Sequence, residues 1–188
     1  MIRPQMLSST ISKREEKAGF ESEDERMETH LGENLTAQIV EAWNIHSRIV
    51  LYLLEGIPEE AHSSVAAKRG KTVRSHFFHV HNVQLMWLKS ATPELLAGLV
   101  KLENEEACMK SEIGNSLKAS GVAIESLLQK CLQDGGKVKR FKPNAVAFLE
   151  YLISHESYHS GKIEMTLRIA GSPIEYKVDY GLWEWGVR

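Results

Sequence analysis

Apolar residues return every three or four positions over four long stretches of this 188-residue chain, and that period belongs to amphipathic helices rather than strands. The first stretch opens at Asn34, a residue suited to capping a helix N-terminus. It runs through Leu35, Ile39, Ala42, His46, Ile49 and Leu53 until Gly56-Ile57-Pro58 stops it. The second covers Thr72 to Ser90, with Thr72, His76, His79, Val83, Met86 and Trp87 on one face and His81 pointing away. After a short turn at Pro93, a third stretch covers Leu102 to Gln133. Its stripe is Ile113, Leu117, Ile124, Leu127 or Leu128, and Cys131, closed by Asp134-Gly135-Gly136. The fourth opens at Pro143, a favoured first helical position, and ends at Ala170-Gly171. Its inward stripe is Phe148, Leu152, His155, His159, Ile163 and Thr166 or Leu167.

Four such helices predict an all-α, up-down four-helix bundle over residues 32–188. Residues 1–31 are rich in charge and lack an apolar period, so a disordered or loosely docked extension is expected there. His46 falls on the stripe of the first helix and is expected to be a hydrogen-bonded core residue. The short aromatic tail from Pro173 to Arg188 is expected to cover bundle ends or a subunit contact, such as that of a homodimer.

Composition narrows the function. The net charge is −2 and the basic residues are scattered, which speaks against nucleic acid or an anionic membrane as the main partner. No apolar run is long enough to span a bilayer, and the acidic N-terminus does not read as an import signal, so a cytoplasmic protein is expected. Cys108 and Cys131 fall at opposite ends of the third predicted stretch, too far apart to pair. Neither sits beside a His that would make it a nucleophile. No phosphate-binding or dinucleotide fingerprint occurs.

Histidine is where chemistry concentrates. His155 and His159 stand one helical turn apart on an inward face, so both rings can reach one ion. With eight His in the chain, composition alone yields such a pair about a third of the time. The pair becomes informative because a second helix carries His76, His79 and His81 within six residues. Periodicity leaves His76 and His79 as alternative third donors, since they share a face.

The letters His155-Glu156-Ser157-Tyr158-His159 also spell the zinc-protease motif, with Glu as general base. The surroundings do not support it. Lys162 and Met165 occupy the places of the metzincin Gly and His, and Glu164, Glu175 and Glu184 are badly placed as a further ligand. Glu156 is instead expected to orient a ligand or to face a neighbouring helix.

Over residues 34–171 the chain resembles the DinB/YfiT-like family of metal-binding four-helix bundles. The resemblance rests on His79 eight residues before Trp87 and on the run from Tyr151 to Ile163, which is similar to the family pattern His-Glu-x-His-His-Arg-Gly-Gln-Ile. In that pattern the first and last His are ligands, here His155 and His159, and the resemblance selects His79 over His76 as the third. The sequence departs from it at Tyr158, Ser160 and Lys162, positions that bear on substrate contacts more than on ligation. Tyr158 and Lys162 are candidate pocket-lining residues.

The resemblance implies a divalent metal, zinc or nickel, and a metal-assisted transfer of a low-molecular-weight thiol onto an electrophile. No catalytic residue is assigned. Three imidazoles leave room for water or substrate on the ion, as catalytic sites do. Metals stabilise thiolate over thiol and hydroxide over water alike, so a hydrolase of small molecules stays open, as does a noncatalytic metal- or partner-binding bundle. Stability is expected to fall on acidification when metal is bound, and much less so in the metal-free chain.

Overall fold

The structure, a computed structural model, describes residues 23–68 and 70–187. Four long helices form the expected bundle, α1 (Glu23–Gly56), α2 (Val73–Ala91), α3 (Lys110–Gln133) and α4 (Ala145–Ile169), followed by a short α5 (Tyr176–Gly181). Their main packing partners place them round the bundle in the order α1, α3, α2, α4. No strand occurs among the described residues.

The helix ends differ from the sequence-based expectation in instructive ways. Helix α1 begins at Glu23, well before Asn34, which lies inside it and accepts a hydrogen bond from Gln38 Nε2 at 2.8 Å. Met27 and Leu31 are exposed on these early turns. Residues 1–22 of the expected extension lie outside the described residues. Thr72 caps α2 through its side chain, which accepts from Ser75 N.

Helix α3 starts at Lys110 rather than at Leu102 because the preceding segment is diverted onto α2. Asn82 Nδ2 donates to Leu102 O at 2.9 Å and Leu102 N donates back to Asn82 Oδ1 at 3.0 Å. Asn144, not Pro143, begins α4, its side chain accepting from Ala147 N at 3.0 Å. At the other end Gly171 takes φ +79°, and Ser172 N reaches back to Leu167 O at 2.9 Å, the left-handed stop expected of this glycine. Gly56 serves a different need. A Cβ there would stand 2.5 Å from Val178 Cγ1, so only glycine lets α5 close on the end of α1.

The core divides into two apolar halves. One gathers Val50, Leu53, Leu54, Phe77, Leu117, Ile163 and Leu167, and the other gathers Trp43, Leu88, Ile124, Leu127, Phe148 and Leu152. Between them each long helix contributes buried polar side chains, in a band about two turns deep along α2: His46 from α1, His76, His81 and Gln84 from α2, Ser120 from α3, and Glu156 and His159 from α4. The bundle therefore has a polar waist, and polar groups so placed require internal partners.

Candidate metal centre

Helices α2 and α4 are neighbours, and their inward stripes meet at the waist. His79, His155 and His159 come together there, with one ring nitrogen of each within 4.8 Å of the others. His79 Nε2 and His155 Nε2 lie 3.2 Å apart. The His79 and His155 ring centroids stand 4.6 and 4.7 Å from that of His159. His76 does not join the three but backs them, its Nδ1 lying 3.0 Å from His159 Nδ1. That contact needs one donor and one acceptor. A His159 that donates from Nδ1 keeps Nε2 free as a lone-pair donor, the tautomer a ligand requires.

The cluster suits a divalent ion on three counts. Nitrogens sharing a tetrahedral ion at about 2.0–2.1 Å stand ~3.3 Å apart, close to the observed His79–His155 separation. All three imidazoles are held neutral. Burial depresses His79, with Lys71 and His155 adding to the effect, and burial depresses His155 against the opposing pull of Glu156. His159 falls to about 3, through burial first and then the neighbouring His155, His79 and His76. Finally, imidazole nitrogens without a carboxylate among them suit zinc and nickel better than calcium or magnesium. One feature of the usual arrangement is missing, since His155 Nδ1 is buried without a hydrogen-bond partner and its ring instead stacks on Tyr151 at 6.0 Å.

Beside the cluster lies a second polar assembly that the sequence did not reveal. Glu156, 1% exposed, turns away from the three His. Its Oε2 lies 3.1 Å from His46 Nε2 and its Oε1 accepts from Gln84 Nε2 at 2.8 Å. Gln84 Oε1 accepts from the Ser120 hydroxyl. Ser120 Oγ lies 2.9 Å from His81 Nδ1, and His81 Nε2 lies 2.9 Å from Val100 O. His81 is therefore buried against α3 rather than pointing away, whereas His46 is the hydrogen-bonded core residue expected. Glu156 neither touches the cluster nor stands where a general base would.

The outer edge of the site is aromatic and basic. Tyr158 packs edge-on against His159 at 5.4 Å, and Lys162 Nζ lies 4.4 Å over the Tyr158 ring. Trp87, Phe141, Phe148 and Tyr151 form a connected aromatic group that reaches the cluster through the Tyr151–His155 stack. Met86, expected to face inward, is exposed.

The depressed imidazoles make a pH prediction and correct one expectation. A group whose folded pKa lies below its unfolded value of about 6.5 binds fewer protons when folded, so its contribution to stability is present above that pH and is lost on acidification. Burial, reinforced at His79 and His159 by neighbouring positive charges, depresses all three His with no ion bound, so the metal-free chain is acid-sensitive too. Its denaturation midpoint, followed by circular dichroism, should fall steadily from pH 7 to about pH 5. Metal-loaded protein should start higher and converge on the same curve as protons displace the ion. A metal-free midpoint that stays flat over this range would contradict the account.

A bundle of four long helices with three neutral imidazoles converging from two of them defines a histidine-lined helical-bundle class of protein, in which facing helices supply the donors for a metal. The DinB family model matches residues 27–186, and the chain belongs to the DinB family. No curated protein and no solved structure matches the chain. Among the described residues no helix is long and apolar enough to cross a membrane.

Proposed function

We propose that His79, His155 and His159 hold one divalent ion, zinc or nickel, and that the protein is a cytoplasmic metalloenzyme transferring a small thiol to an electrophile. The observation that carries this reading is the convergence of three neutral imidazoles on one point with no carboxylate among them. A bound divalent ion would supply the charge that favours thiolate over thiol near neutral pH.

The chain's own residues do the remaining work. His76 orients His159 through the Nδ1 contact and so keeps one lone pair directed at the ion. The stacked Tyr151 ring fixes the plane of His155. Glu156 and its partners hold the adjoining turn of α4 against α1 and α2, setting the register in which His155 and His159 meet His79. Tyr158 and Lys162, at the rim, are placed to line the entry of a small molecule. The exposed tail aromatics Tyr176 and Tyr180 of α5 are compatible with a homodimer.

The test is a screen of metal-loaded protein with low-molecular-weight thiols against alkyl and epoxide electrophiles, with product followed by mass spectrometry. Turnover should require both metal and thiol. Turnover of esters, amides or lactones without thiol would replace the transferase reading by a hydrolase. Metal binding with no turnover on either panel would leave a binding protein.

A further inference from the structure

A cleft on the opposite side of α4 from the three His has the makings of a second site. It holds about 320 Å³ between α1, α4 and the chain after α5, within the range of small-ligand pockets. Ile49 and His46 line its α1 side, Glu164 and Ser160 its α4 side, and Trp183 and Trp185 the side supplied by the tail. The site is separate from the metal centre. His155 and His159 face α2, whereas Ser160 and Glu164 lie round the helix toward α1.

We propose that this cleft binds a small organic cation, an alkylammonium or quaternary ammonium head seated between the two indoles and the Glu164 carboxylate. Glu164 is the only titratable group besides His46 on the lining of this cleft. It is partly withdrawn from water, and among the described residues no hydrogen bond or ion pair reaches it. Burial, with Asp179 nearby, works against its charged form, and Arg168 only partly offsets this. A carboxylate in that position gains from a cation brought by a ligand.

The walls select among cations. Trp183 is 79% and Trp185 40% exposed, which leaves large indole surfaces available where aromatic side chains are ordinarily covered. Indole faces attract cations more strongly than other aromatic rings, and weakly hydrated ammonium heads with methyl groups best of all. An anionic ligand would meet the Glu164 carboxylate, and a neutral apolar one would bury that carboxylate without compensating it.

The probe is choline, titrated into the full chain by calorimetry and indole fluorescence, with 3,3-dimethylbutan-1-ol as its uncharged isostere. Choline should bind saturably, and the isostere about tenfold more weakly or worse. Glu164→Gln and Trp183→Ala should each weaken choline about fivefold to tenfold while leaving the denaturation midpoint and metal content unchanged. Because neither residue belongs to the His cluster, this outcome is independent of the metal reading. Equal affinity for choline and the isostere, an unaltered affinity in Glu164→Gln, or no saturable binding of choline would each overturn the proposal.

Discussion

Replacing Glu156 by Ala is expected to cost about 3–5 kcal/mol of stability, because two buried partners lose their acceptor and a cavity opens. Both carboxylate oxygens are engaged, by His46 at 3.1 Å and Gln84 at 2.8 Å. All three residues are at most 3% exposed, so their polar atoms rely on one another for partners. Each stranded polar group costs roughly 1–3 kcal/mol, and the deleted side chain leaves a cavity besides. Against a total stability of about 5–15 kcal/mol for a domain, that is a large share. Glu156→Gln keeps the shape and one acceptor and should lose less. Ser157→Ala, one residue on and exposed, should stay within about 0.5 kcal/mol. Urea denaturation of the three variants checks the series. A loss below about 1 kcal/mol in Glu156→Ala would show that the waist is not held by this residue.

The contrast between Glu156 and its neighbours shows what a helical pattern can and cannot convey. The stripe of α4 was legible because Phe148, Leu152, His159 and Ile163 all face one way and are all buried, so the inward His followed from spacing alone. Glu156 lies about 100° round the helix from His155, and spacing gave no means of knowing that His46, 110 residues earlier, would meet it. His81 was misplaced for a related reason. Helix α2 packs on both α3 and α4, so it buries two faces, and a residue about 140° from His76 turns inward toward Ser120 instead of outward. A single-stripe reading suits a helix with one buried face, and α2 has more.

Other differences trace to tertiary contacts that no local signal announces. The residues before Lys110 carry helix-compatible side chains, yet the pairing of Asn82 with the backbone of Leu102 draws them away from the helical path. The role of His76 was half legible. It shares a face with His79, and only the fold reveals that it reaches Nδ1 of His159. In the tail, the aromatic residues were visible from the start, but the cleft they form with Glu164 depends on Gly56 allowing α5 to close on α1.

The second large effect is the loss of metal on removal of any one proposed ligand, and it is also the most direct test of the central claim. In the proposed site three imidazoles share the ion, so deleting one from a three-donor set removes a large part of its affinity. A residue that only orients a ligand costs about 10–100-fold in affinity when mutated. Wild type and the His→Ala variants at positions 76, 79, 155 and 159 should be stripped, reloaded with zinc or nickel, and analysed for metal by elemental analysis after desalting, with circular dichroism to confirm folding. Wild type should hold one ion per chain. The variants at His79, His155 and His159 should retain essentially none, and His76→Ala should reload with weakened affinity. Full occupancy in His79→Ala together with loss in His76→Ala would contradict the ligand set, and retention of metal by all four variants would place the ion elsewhere.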